Sequence, residues 1–175
     1  MLLNKGDQAP EFSLPDSHGN IVSLSDFKGK KVVLWFFPKA STPGWTIEGK
    51  GFRDESENFN KKNMIILGCS ADSPLKQKKF CDKQGFSYPM LCDESHSMLE
   101  SYGVWGMKKF MGREYMGISR VTYVISEEGL IENVYSKVKT TSHAQDILND
   151  YWYFITLIPF IYNVYTWDWA YFIRF

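Results

Sequence analysis

Two stretches of this chain are apolar on both faces: Val32 to Phe37 holds only Val, Leu, Trp and Phe, and Met64 to Ser70 is nearly as uniform. Runs of that length, polar on neither side, read as strands buried within a sheet. Upstream, Glu11 to Leu14 and Ile21 to Leu24 alternate around the turn signal Asp16-Ser17-His18-Gly19-Asn20 and predict a small hairpin. Thr42-Pro43-Gly44 stops the first buried strand, and a proline there suits the first turn of a helix, expected from about Trp45 to Asn60. Ser73-Pro74 opens a second helix running to Gln84, and Ser95 to Tyr102 reads as a shorter one. Arg120 to Ser126 and Leu130 to Tyr135, joined across Glu127-Glu128-Gly129, predict another hairpin, and Thr141 to Tyr151 a closing helix.

That order, hairpin, strand-helix-strand-helix, hairpin and helix, is expected of a thioredoxin-like α/β fold, a central mixed sheet flanked by helices with an N-terminal hairpin. With 175 residues, 44% hydrophobic and 23% charged, the chain has room for one domain with a sizeable core. Twenty basic and twenty acidic residues leave no net field to attract nucleic acid or an anionic membrane. Residues 1–10 lack the basic and apolar regions of a signal peptide, which points to the cytoplasm. Cys69, Cys81 and Cys92 are too few for a secreted disulfide framework, and no zinc-spaced His/Cys set occurs. His18, His96 and His143 have no mutual spacing that suggests a metal site and read as solvated. Cys69 reads as a small core residue, and Cys92 as structural and partly exposed.

From Trp152 the composition changes: the last 24 residues hold 11 of the 29 aromatics and only two charges, Asp168 and Arg174. The chain therefore divides into a domain at 1–151 and an aromatic-rich tail at 152–175. A membrane span is interrupted by Pro159, Asn163 and Asp168. An interfacial anchor lacks basic residues, and a core extension or protein-binding segment remains open.

The candidate chemistry lies in Phe-Phe-Pro-Lys-Ala-Ser-Thr-Pro-Gly-Trp-Thr-Ile-Glu, residues 36–48. Its Pro38-x-x-x-Thr42-x-x-Trp45 spacing resembles the nucleophile motif of the peroxiredoxins. The flanks Asp26 to Lys31, Gly51-Phe52-Arg53-Asp54, Phe80 to Phe86, Tyr102 to Gly106 and Gly117 to Tyr123 are similar to their bacterioferritin-comigratory or Q class, over about Gly6 to Asp150. The resemblance implies thioredoxin-dependent reduction of hydrogen peroxide and organic hydroperoxides by a monomer that needs no metal, flavin or haem. It implies that position 45 is the peroxidatic position, at a helix N-terminus that favours a thiolate. Thr42 would lend a hydroxyl, Pro38 would shield the site from bulk water, and Arg120 would stabilise developing negative charge. The position five residues after the nucleophile, where many members carry a resolving cysteine, is Lys50 here. Cys81, in Phe-Cys-x-Lys-Gln-Gly, matches the other placement and is the implied resolving cysteine; read without that context, it is a semi-buried helix cysteine.

Trp45 stands where that chemistry needs a thiol. An indole has no nucleophile that ionises near neutral pH and cannot form a sulfenic acid or a disulfide. The chain as written is therefore expected to be inactive, with a ring too large for a thiolate pocket filling the substrate site, at about 1 to 3 kcal/mol unless neighbours move. The alternative is a non-enzymatic binding protein that reuses the scaffold, with the tail as a partner or membrane-surface contact. Replacement of a cysteine codon explains Trp45 alone. A UGA codon translated as Trp explains both anomalies: some members carry selenocysteine at the nucleophile position, and UGA is also a stop, so the product would end at Tyr151.

Overall fold

The computed structural model describes residues 1–39 and 43–151. The expectations placed on Thr42 and on the tail at 152–175 fall outside them. A short hairpin, β1 (Ser13–Pro15) and β2 (Ile21–Ser23), pairs Ser13 with Ser23 around the predicted turn. The central sheet consists of β3 (Lys31–Phe36), β4 (Met64–Ser70), β5 (Met90–Cys92), β8 (Val121–Ile125) and β9 (Ile131–Tyr135), in the order β5-β4-β3-β8-β9. The first three strands are parallel, whereas β8 and β9 are antiparallel to their neighbours, which makes the sheet mixed. The helices are α1 (Pro43–Asp54), α2 (Ser56–Lys61), α3 (Pro74–Gln84), α4 (Ser97–Ser101) and α5 (His143–Asp150).

Side chains alternate across a strand, so each central strand serves two cores. On β3, Val32, Leu34 and Phe36 join Leu67 and Cys69 of β4 and Val121, Tyr123 and Ile125 of β8 beneath the N-terminal segment and α4. Val33, Trp35 and Phe37 point the other way, where Met64, Ile66 and Val124 meet Phe52 of α1, Phe59 of α2, Phe80 and Cys81 of α3, and Ile147 and Leu148 of α5. This two-sided burial explains why β3 and β4 carry no polar face. It also puts Thr122, and by the same parity Arg120, on the side covered by α1 and α5.

Three expectations are corrected. The helix expected from Trp45 to Asn60 starts at Pro43 and is broken at Glu55, whose φ of −95° and ψ of 4° leave the helical region, so α1 and α2 are separate. The stretch before Arg120 holds an unforeseen hairpin, β6 (Trp105–Phe110) with β7 (Arg113–Ile118), outside the main sheet. Cys92 is buried, not partly exposed.

Candidate active site

Strand β3 ends at Phe36 and the chain enters α1 at Pro43, where a missing N–H costs nothing because the first-turn N–H groups have no intrahelical acceptor. Position 45 is the third residue of this helix. Its side chain therefore sits at the positive end of the helix dipole, a location that favours an anion. A cation joins this helix end from a distant part of the chain. Arg120 directly precedes β8, and its guanidinium carbon lies 3.8 Å from the centroid of the Trp45 ring. Arg120 also passes close to the start of α1: a Cβ at Gly44 would stand 3.4 Å from Arg120 Nη2, within ordinary contact. The half-buried indole packs against the helix-side core and covers the guanidinium. The ring is therefore not enclosed in the core but lies in front of the Arg120 guanidinium.

Pro38 is exposed two residues beyond β3. Cys81 is buried on α3 and shares the apolar cluster against which Trp45 packs. Burial pushes its thiol pKa up, partly offset by a hydrogen bond with Ser17. Cys69 is fully buried, as expected of a core residue, and burial raises its thiol as well.

Two residues that the sequence reading passed over complete the constellation. Glu48, one turn after Trp45 on α1, is 1% exposed, and its Oε2 faces Arg120 Nε at 3.8 Å. Burial raises its carboxyl pKa to about 7 against the lowering effect of Arg120. His143, expected to be solvated, is instead 2% exposed on α5, with Nε2 2.8 Å from Thr122 Oγ1 and 3.8 Å from Glu48 Oε1. The rings of Phe52 and Tyr135 meet it nearly edge-on at 5.5 and 5.4 Å, which is what takes it out of water. The i, i+3 relation of Trp45 and Glu48 was a visible signal for the first; nothing in the sequence pattern marked the second. Of the other histidines, His96 stacks on Trp105 at 4.0 Å and His18 is exposed beside Ser17.

Arranged in this way, position 45, the first turn of α1 and Arg120 form a small anion-favouring site at the end of β3, backed by a buried carboxyl. The AhpC/TSA family matches residues 5–134 of the chain. Peroxiredoxin Bcp of Escherichia coli K12 is 44% identical over 147 residues, covering 84% of this chain and 94% of the relative. Two cysteine-variant structures of Peroxiredoxin Q from Xanthomonas campestris superpose with TM-scores of 0.76 at 35% and 34% identity, each covering 80% of this chain and 89% of theirs. Their replaced cysteines are 36 residues apart. PrxQ of Xylella fastidiosa superposes with a TM-score of 0.81 at 31% identity, covering 86% and 96%. With a matching fold and relatives that agree over four fifths or more of its length, the chain belongs to the AhpC/TSA family as a peroxiredoxin of the Bcp and Q type, a class of thiol peroxidases.

Proposed function

We propose that position 45 is the peroxidatic position of this chain, with Pro38, Thr42 and Arg120 around it and Cys81 as resolving thiol. With Trp45 in place, the chain does not turn over peroxide. One observation carries the reading: the side chain at position 45 lies directly under the Arg120 guanidinium at the start of α1. The separation of positions 45 and 81 is also 36 residues, the spacing of the two replaced cysteines in the Xanthomonas protein.

A thiol at position 45 would lose its proton to water, because the helix terminus and Arg120 favour the thiolate. The thiolate sulfur attacks the nearer peroxide oxygen, the O–O bond breaks, and the departing hydroxide or alkoxide takes up a proton from water to leave as water or an alcohol. The sulfur is then a sulfenic acid. Arg120 stabilises the charge as it moves from sulfur to the leaving oxygen. Cys81 next attacks the oxidised sulfur, expelling water and forming a disulfide, which a thioredoxin-type dithiol reduces by exchange. Because Cys81 is buried on α3 with its thiol pKa raised, this step requires α3 to open. The expected substrates are hydrogen peroxide and organic hydroperoxides, and no nucleic-acid partner is expected.

The test is peroxide consumption coupled to a thioredoxin system. The chain itself gives no rate above a thiol-free control, and Trp45→Cys gives sustained turnover. Trp45→Cys combined with Cys81→Ser consumes one equivalent and leaves a sulfenic acid that a dimedone probe captures. Turnover by the Trp45 chain, or no activity in Trp45→Cys, overturns the assignment of position 45. A disulfide to Cys69 or Cys92 in oxidised Trp45→Cys overturns that of Cys81.

A further inference from the structure

Arg120 is bound into a buried group of polar side chains drawn from three elements. Arg120 and Thr122 share one face at β8, Glu48 comes from α1, and His143 opens α5. His143 Nε2 lies 2.8 Å from Thr122 Oγ1 and 3.8 Å from one Glu48 oxygen, while the other faces Arg120 at 3.8 Å. That second oxygen, Oε2, is buried and has no hydrogen-bond partner among the described residues. An unsatisfied buried carboxyl oxygen is costly, so its presence next to the one arginine of the site calls for a reason.

The charges follow from burial. The Glu48 carboxyl is raised to about 7 by desolvation, with Arg120 opposing. The His143 imidazole is lowered to about 4, first by desolvation, with Asp146 opposing and Arg120 adding to the shift. Near neutral pH His143 is therefore uncharged, and its 3.8 Å approach to Glu48 is not an ion pair, although the distance alone would class it as one. Among the described residues, the other groups that face the cluster are Asp146 on α5, Tyr135 of β9 against the imidazole, and Tyr88, which senses both Glu48 and Arg53.

We propose that His143 is a positioning residue of the peroxide pocket: uncharged and held by Thr122, it packs against Glu48 without neutralising it, and so leaves Arg120 as the cation that answers Glu48. The closing helix α5 thereby sets how far Arg120 is committed to position 45. This rests on the reading of position 45 as the peroxidatic position. When Glu48 is ionised, the guanidinium is drawn toward it and its field at position 45 is partly cancelled. When Glu48 carries its proton, Arg120 presents its full charge to the site. No covalent step passes through His143 or Glu48; both act through Arg120.

The first measurement uses the chain as it stands, because the Trp45 ring lies against Arg120. The indole N–H resonance of Trp45, followed by NMR from pH 5 to 9, is expected to show one transition with a midpoint near 7. The transition should vanish in Glu48→Gln. It should move down by about one pH unit in His143→Gln or His143→Asn, whose amide can still reach Thr122 and offers an N–H to the carboxylate. A purely structural role for His143 would lower the melting temperature and leave the midpoint where it was; that result, or a transition that persists in Glu48→Gln, overturns the proposal. The second measurement is the pH dependence of iodoacetamide alkylation in Trp45→Cys. Adding Glu48→Gln should lower the pKa of the thiol at position 45 by about one unit, and an unchanged pKa overturns the coupling. If Trp45→Cys proves inactive while both shifts appear, the peroxidatic reading fails and the charge coupling stands. Activity without the shifts defeats the coupling alone.

Discussion

Arg120 is shared between a ring it stacks on and a carboxyl it faces, and both contacts have measurable consequences. The guanidinium over Trp45 is a cation–π contact worth about 0.5 to 2 kcal/mol according to its desolvation, and Arg120 is 31% exposed, which favours the low end. Trp45→Cys is therefore expected to lower stability by about 1 kcal/mol in urea titrations, while it gains peroxidase activity. Glu48 and His143 give a second expectation, in which signs matter. The Glu48 pKa is raised from 4.5 to about 7 in the fold, so its favourable contribution is complete below 4.5 and is lost as pH rises through 7. The His143 pKa is lowered from 6.5 to about 4, so its contribution is present above 6.5 and lost as pH falls through 4. Between 4.5 and 6.5 the slopes oppose each other: folding in effect moves one proton from imidazole to carboxyl. Glu48→Gln removes one slope, and its stability relative to the parent is expected to improve by on the order of 2 to 3 kcal/mol as pH rises from 4.5 to 7. A parallel pair of stability–pH curves would contradict the Glu48 titration. At this scale Trp45 and Arg120 were legible because they lie in recognisable local segments. The Glu48–His143 pair was not, because its partners are 95 residues apart and meet only through packing.

Among the elements, β3 and β4 were readable almost to the residue because both faces are buried and the uniform apolar run has no competing explanation. The break at Glu55 was invisible, since the residues around it suit a continuous helix and only the turn toward α2 requires the change. The β6–β7 hairpin was missed for another reason. Most of its residues are exposed, Met107, Met111, Tyr115 and Met116 among them, so no apolar alternation announces it. Its two-residue turn uses Met111 at φ 48° and Gly112 at φ 79°, the positive-φ pair that usually calls for Asn-Gly. Helix α1 carries a glycine with a packing role instead. A Cβ at Gly49 would lie 2.6 Å from Phe86 Cζ, and the Gly49 carbonyl accepts a hydrogen bond from Tyr88 Oη at 3.0 Å. Gly49→Ala would gain up to about 1 kcal/mol of helix propensity, but it must push aside an aromatic ring buried against α1. A net loss of about 1 to 3 kcal/mol is expected, the usual cost of overpacking. Combining it with Phe86→Leu should recover part of that loss. Strict additivity of the two changes would show that the ring is not the obstacle.

For the whole molecule, the question is what the domain needs to close. Helix α5 seals the helix-side core with Ala144, Ile147 and Leu148, and Tyr151, the residue that ends it, packs against the same cluster. Lys62 Nζ donates to the Tyr151 carbonyl at 3.4 Å, and Lys31 Nζ stands 5.5 Å from its ring. A chain ending at Tyr151 would keep these contacts and place its terminal carboxylate near Lys62, a favourable exchange. The 24 residues beyond add 11 aromatics and two charges, an apolar load that promotes association. Truncation after Tyr151 is therefore expected to leave the melting temperature within a few degrees of the full chain and to reduce light scattering at equal concentration. This outcome also follows if UGA codons translated as Trp produced both Trp45 and Trp152, and the codons at those positions decide that directly. An evolved, docked tail predicts the reverse, because its removal would bare a groove on the domain. A truncated chain that melts many degrees lower, or aggregates faster, would show that residues 152–175 complete the fold, and would return the binding-protein reading to contention.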